Sequence, residues 1–267
     1  MTKRLTAAIC LIGDELLSGR TRDINAQTIA RFLAPFGIPV AEVRIVPDDQ
    51  ARIIEAVNQL RAAYTYVFTT GGIGPTHDDI TADAIAAAFE VGISEHPAAL
   101  AILSERYAAI DTEFTPARRR MARVPDGARL ISNPVSGAPG FQTGNVFTLA
   151  GVPKIAEAML QDIEQYLEHG VVVTSVTIRG DGLREGDLAD ALARLSDEFP
   201  QVSIGSYPWF RSINDHGVAL LARATDAAII ETIATELEAI VRSYGRVPER
   251  VLDTPDFKAN SPRPGVD

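Results

Sequence analysis

The sequence predicts an α/β protein, with a mainly parallel sheet covered by helices on both faces over residues 1–168 and a smaller α+β domain over 169–246. Three observations carry this. Short apolar runs alternate with helical periodicity from Leu5 to Thr69, a β-α-β-α-β order that implies right-handed crossovers and parallel pairing. After His169 the order changes to β-α-β-β-α, which suits a mostly antiparallel sheet with helices on one face. The composition, 46% apolar and 22% charged over 267 residues, is that of an ordinary globular chain long enough to bury a full core.

Each element has its own signal. Leu5 to Ile12 is a short apolar run ending at Gly13, the pattern of a buried strand. From Asn25 to Phe36, Ile29, Ala30, Leu33 and Phe36 recur at helical spacing, and Gly37 stands where a left-handed C-terminal residue belongs. Pro39 to Val46 predicts a second strand. Asp49 to Ala63 predicts a helix with Ile53, Ala56, Val57 and Leu60 on one face. Tyr66 to Thr69 is a third strand, and Thr81 to Met121 reads as helical with an interruption near Gly92 to Pro97. Arg129 to Ser132 is strand-like, Asn133 to Gly144 a glycine- and proline-rich loop, and Asn145 to Ala150 a strand. Gly151-Val152-Pro153 then turns into a helix ending near His169.

In the second domain Val171 to Ile178, Val202 to Tyr207 and Gly217 to Ala222 are strand-like, whereas Glu185 to Phe199 and Ala227 to Tyr244 are helical. The segment Gly205-Ser206-Tyr207-Pro208-Trp209 either completes the pocket of a neighbouring subunit or turns a strand, and the turn is the preferred reading. Residues 247–267, with four prolines from Pro248 onward, are expected to be a loosely ordered tail.

Charge and cysteine content narrow the function classes. Lys and Arg number 25 against 35 Asp and Glu, a net charge of −10. Each half carries about five of these negative charges, 15 basic against 20 acidic residues up to residue 168 and 10 against 15 after it. Neither half offers the basic footprint of a nucleic-acid binder. The densest basic cluster, Arg118-Arg119-Arg120 with Arg123, reads as a solvated helix face. A single cysteine, Cys10, excludes an internal disulfide framework and a cysteine-based zinc site, and its place inside the first strand makes it a core residue. No apolar run reaches the ~20 residues of a membrane span, so a soluble cytoplasmic protein is expected.

In a parallel sheet, ligands bind beyond the carboxyl ends of the strands. Three loops there are unusual. The first is Gly13-Asp14-Glu15-Leu16-Leu17-Ser18-Gly19, continuing to Asp23 and Asn25. Asp14 and Glu15 are candidate metal ligands or bases, Ser18 a phosphate contact and Asp23 a helix cap. The second runs from Thr69 to Thr81. Gly71, Gly72 and Gly74 allow close approach of the main chain, and Pro75, Thr76 and Thr81 lead into a helix whose start suits an anion. Asp78 and Asp79 lie in the same loop; acids beside a phosphate make sense when a divalent cation bridges them. His77 is either an acid or merely exposed. The third loop, Asn133 to Phe141, offers Gly137, Pro139 and Gly140 as a rigid wall, with Phe141 either stacking on a ring or joining the core. No Gly-x-Ser-x-Gly elbow appears.

Together these loops resemble the molybdenum-cofactor biosynthesis domain of the MogA and MoeA type, in particular its CinA-like branch. The residues carrying the match are Gly13 to Gly19, Asp23-x-Asn25, Gly71-Gly72-Ile73-Gly74-Pro75-Thr76-x-Asp78-Asp79-Ile80-Thr81, Gly137 to Phe141 and Gly151-Val152-Pro153. Asp23-x-Asn25 and Gly205-Ser206-Tyr207-Pro208 are also similar to the N-terminal molybdopterin-binding-like domain of eukaryotic FAD synthases. The resemblance implies a three-layer αβα domain, a KH-like second module, assembly as dimers or trimers, and a molybdopterin or adenine-nucleotide-like ligand. For the CinA-like branch it implies metal-dependent hydrolysis of a diphosphate bond, as in ADP-ribose or FAD; from the acids and glycines at the strand ends, Asp14, Asp78 and Asp79 are expected to hold the Mg²⁺, Mn²⁺ or Co²⁺ and to be the catalytic residues. Asp78 stands where MogA-type proteins place arginine, and Ala150 where CinA-like proteins place proline. Molybdenum-cofactor assembly by adenylyl or metal transfer, and ligand binding without catalysis, are the alternatives.

Overall fold

The computed structural model describes residues 5–213 and 215–251, which divide after Val171 into two compact units. The first contains β1 (Ala7–Ile12), α1 (Asp14–Leu17), α2 (Asn25–Leu33), β2 (Val40–Val46), α3 (Gln50–Ala63), β3 (Tyr66–Thr70), α4 (Thr81–Ala88), β4 (Ile93–Glu95), α5 (Pro97–Ala109), α6 (Pro116–Arg119), β5 (Arg123–Pro125), β6 (Arg129–Ile131), β7 (Gly140–Thr143), β8 (Val146–Leu149) and α7 (Pro153–Ile163). The second contains β9 (Thr174–Asp181), α8 (Glu185–Glu198), β10 (Ser203–Ser212), β11 (Asp215–Ala224), α9 (Ala227–Ser243) and β12 (Pro248–Val251).

Six strands form the first sheet in the order β2-β1-β3-β8-β7-β6. The first four run parallel, and β7 and β6 complete the sheet antiparallel. β1 shows why its sequence is continuously apolar. Ala7, Ile9 and Leu11 enter the cluster under α2 and α7, while Ala8, Cys10 and Ile12 enter the one under α3 and α4. A strand covered on both faces has no polar side. Truncating such a residue, as in Ile9→Ala, would cost about 2–5 kcal/mol. Burial also pushes the Cys10 thiol up to about 12, so it is an inert core group. α2 runs into a 3-10 turn at Ala34–Phe36 and stops at Gly37, whose φ of 68° is the expected left-handed exit. Asp49 caps α3 by accepting from Arg52 N at 2.9 Å.

Several expectations are corrected. The stretch from Thr81 to Met121 is helical with the expected interruption near Gly92 to Pro97, but that interruption is a strand, β4, paired antiparallel with β5, and the helix breaks a second time between α5 and α6. The third loop is shorter than expected, because Gly140 begins β7. An added Cβ there would lie 2.5 Å from Thr148 O, so the glycine serves the approach of β7 to β8. Val171, Val172 and Val173 precede β9, have no strand partner among the described residues and are exposed. β-branched residues alone do not make a strand.

The second sheet is antiparallel in the order β10-β11-β9-β12, with α8 and α9 over a core that includes Ile178, Leu188, Leu220 and Leu237. The segment 205–209 lies within β10 and is not a turn. Pro208 is tolerated because β10 is an edge strand. Residues 248–251 of the expected loose tail form β12 against β9; the rest of that expectation falls outside the described residues. Among the described residues no helix is long and apolar enough to cross a membrane.

Candidate functional site

The carboxyl ends of β1, β3 and β8 bring the first two loops together, with Gly151 beside Gly71. Asn25 ties them. Its buried side chain donates to Gly151 O at 2.8 Å and Thr70 Oγ1 at 3.3 Å, leaving its own Oδ1 buried without a partner among the described residues. Asp23 is the helix cap, accepting from Asn25 N at 3.0 Å and Ala26 N at 3.2 Å.

The glycines of the second loop serve the protein first. Gly71 (φ 103°) and Gly72 (φ 66°) adopt backbone that favours glycine. A Cβ at Gly71 would strike Ile12 O, at Gly72 the Thr81 hydroxyl, and at Gly74 the Asp79 carboxylate, 2.6 Å away. The Gly71 amide donates to Leu149 O at 3.2 Å and is therefore not free to bind phosphate. Thr81 N donates to Gly72 O at 2.9 Å, while the Thr81 hydroxyl is buried and has no partner among the described residues. The loop is a tight self-packed unit, and any ligand meets it from outside.

The three acids expected in one metal shell are not gathered. Asp79 Oδ2 accepts from Thr76 N at 2.7 Å and the Thr76 hydroxyl at 2.5 Å, so that carboxylate closes its own loop. Asp78 is exposed, and the Thr76 hydroxyl beside it holds its carboxyl below the usual range. Asp14 is exposed as well. Among the described residues no three His, Cys, Asp or Glu side chains converge closely enough to hold a metal ion. The oxygen donors have the right hardness for Mg²⁺ or Mn²⁺, but they suit a cation that also keeps phosphate oxygens in its shell.

Sequence reasoning missed Asp48. Its Oδ2 accepts from Asp14 N at 3.0 Å, joining the loop after β2 to the loop after β1. Burial pushes its carboxyl above the ordinary value, and the charges of Asp14, Glu15 and Asp78 add to that push. Neighbouring Asp49, an obvious cap, masks it in the sequence.

The arginine cluster is not a solvated face throughout. Arg119 pairs with Glu95 at 2.5 Å in the expected solvated manner. Arg120 and Arg123 instead line a narrow cleft with Gly72, Gly74, Asp79, Ala82 and Pro139. Arg123 forks onto Asp83 at 2.6 and 3.4 Å. Arg120 reaches Asp79 O at 3.4 Å, and its Nε is buried without a partner among the described residues. The start of α4, which no side chain caps, forms another wall. Arg120 lies in a 3-10 turn at Arg120–Ala122 and Arg123 begins β5, so no helical spacing links them in the sequence.

The remaining candidates are structural or exposed. Ser18 Oγ donates to Glu15 O at 3.3 Å within its own turn, and Pro75 and His77 are exposed. Gly137 (φ 80°) makes room for Arg106. Asn133 closes the third loop on itself, donating to Ala138 O at 2.7 Å and accepting from Val135 N and Ser136 N at 3.1 Å. Phe141 is core.

With this geometry fixed, comparison with known proteins is decisive. Residues 8–169 match the model of a family described as "Probable molybdopterin binding domain", and residues 175–249 match "FAD synthase, middle domain". A CinA-like protein of Geobacter sp. (strain M21) is 34% identical over 90% of the chain. The chain belongs to the CinA-like branch of the molybdopterin-binding domain family. A protein of Aeropyrum pernix is likewise 34% identical over 90% of this CinA-like chain and 92% of its own length. The chain spans 59% of the Geobacter relative's length. The crystal structure of CinA from Thermoplasma acidophilum, described there as of unknown function, is 35% identical, with a TM-score of 0.56 over 60% of this chain and 96% of that one.

Proposed function

We propose that the first unit binds a molybdopterin- or nucleotide-like ligand through a diphosphate, and that it hydrolyses the diphosphate bond of a dinucleotide such as ADP-ribose or FAD. The observation carrying the binding part is the buried, unpartnered Nε of Arg120 in the cleft beside the uncapped start of α4. A guanidinium and first-turn amides together favour an oxyanion. The loop of Asp78 and Asp79 touches both halves of the arrangement: Asp79 lines the cleft, and Asp78 acts on Asp48.

A divalent cation would enter with the substrate, carried on its phosphate oxygens and met by Asp14 or Asp78, and would lower the charge on the diphosphate. Water adds to one phosphorus, the bridging P–O bond breaks, and two monophosphates leave. Asp48, the carboxylate with raised proton affinity, would take the proton from that water.

The test is turnover of ADP-ribose, FAD and NADH with Mg²⁺, Mn²⁺ or Co²⁺, followed by chromatography of the products. Hydrolysis should yield AMP from each, and Asp48→Asn should lower kcat by about 10²-fold or more. A chain that is thermally stabilised by these nucleotides but turns over none of them is a binder, and the hydrolytic part fails. The family match keeps a second reading in play, molybdenum-cofactor assembly. It requires molybdopterin affinity with dependence on ATP or molybdate.

A further inference from the structure

The second unit carries a cavity of its own, where β9 turns through Gly182 (φ 72°) into α8 and where β10 runs toward β11. Its volume is about 370 Å³. Leu183, Pro208, Trp209 and Phe210 give it apolar walls, and Arg184 and His216 add polar groups. That size, and a mostly apolar lining with a few polar groups, are those of a small-molecule site. Phe210 is 62% exposed, an aromatic face with little of the chain upon it.

The aromatic wall is set before any ligand arrives. Gly217 leaves room for the Trp209 ring, since a Cβ there would lie 2.8 Å from Cζ2. The guanidinium groups of Arg179 and Arg211 stand 4.4 and 5.2 Å from the same ring. The indole Nε1 is nevertheless buried without an acceptor among the described residues. A buried donor in that state is costly, and an acceptor on a ligand would relieve the cost.

The polar end is also unanswered. The Arg184 side chain is exposed and makes no hydrogen bond or ion pair among the described residues. α8 begins beside it with no side-chain cap. The first-turn carboxylate of Glu185 accepts from Ser206 Oγ at 2.5 Å, which draws it toward β10. Gly186 follows, and a Cβ on it would meet nothing within 4 Å. Neither packing nor a positive φ requires glycine there. Glycine is unfavourable in a helix, so the missing side chain has a use in leaving the approach to the first-turn amides open.

We propose that this cavity binds a planar aromatic ring bearing one phosphate or carboxylate. The ring lies against Trp209 and Phe210, and the anion meets Arg184 and the amides of Glu185 and Gly186. A ring alone or an anion alone satisfies only half of the site.

Trp209 is the one tryptophan of the chain, so its fluorescence reports this cavity and not the cleft of the first unit. The full chain is titrated with AMP and with benzoate, which separate phosphate from carboxylate. Adenosine serves as a ring without an anion and inorganic phosphate as an anion without a ring. A saturable change in emission is expected with AMP, benzoate or both, and adenosine and phosphate should bind at least about tenfold more weakly. Arg184→Met and Phe210→Ala should each weaken binding about tenfold. Gly186→Ala should melt no lower than the parent and still bind less tightly, which separates loss of the site from loss of the fold. Arg120→Met in the first unit should leave the titration unchanged, so this proposal and that for the first unit stand or fall apart. No emission change with either AMP or benzoate overturns the proposal. So does adenosine binding as tightly as AMP, a titration indifferent to both Arg184→Met and Gly186→Ala, or one lost with Arg120→Met.

Discussion

Thr81 carries a fully buried hydroxyl without a hydrogen-bond partner among the described residues, directly under the Cα of Gly72. A buried unpaired hydroxyl costs about 1–3 kcal/mol. Thr81→Val keeps the shape and removes that cost. The Thr81 N–H bond to Gly72 O is unaffected, and the helix propensities of Thr and Val are nearly equal. The ligand-free variant should therefore be more stable by about 1–2 kcal/mol, allowing for the larger methyl against Gly72. For a unit of this size that is roughly 3–6 °C in Tm. Scanning calorimetry reads the transition of the first unit directly. Thr81→Ser, which keeps the hydroxyl and loses the methyl, should lose about 1 kcal/mol. If the hydroxyl is retained for a bound state, saturating ADP-ribose should raise Tm more for the parent than for the Val variant. A Val variant less stable than the parent refutes the reasoning, because the hydroxyl must then have a partner.

Other outcomes follow from the same geometry. Arg120→Met should weaken nucleotide binding about tenfold, measured by calorimetric titration, with little change in melting, since the Arg120 contact to Asp79 O is long. Gly74→Ala drives a methyl into the Asp79 carboxylate and should cost about 1–3 kcal/mol, seen in urea unfolding. Asp48→Asn has a definite pH signature. The carboxyl is raised in the folded chain, so its cost is absent at low pH where both states are protonated. That cost grows through the window above the ordinary carboxylate value and is complete beyond it. The variant should thus melt above the parent near neutrality, and the gap should close at about pH 3. Cys10 should ignore thiol reagents until the chain unfolds, given a thiol pushed up to about 12.

The elements most legible in the sequence are those whose signal is local. The apolar run of β1, the Gly37 stop after α2 and the Asp49 cap of α3 each follow from a few adjacent residues. β4 is invisible there because its partner β5 lies about 30 residues downstream, and three residues hold no periodicity of their own. The site divides the same way. Glycine density marks the loop from Gly71 to Gly74, but sequence cannot tell whether the missing side chains make room for a ligand or for Ile12, Thr81 and Asp79. Asp48 and Arg120 acquire meaning only from contacts with Asp14 and Asp79, each more than 30 positions away.

The pairing of β12 with β9 has an architectural consequence. Val251 lies opposite Thr177, so the described part of the second unit begins and finishes on neighbouring strands. Such a module can be cut out, transplanted or extended without unthreading its interior, as insertion at adjacent termini generally allows. Evolution or a protein engineer can thus swap it between hosts as one piece, with the sheet left intact.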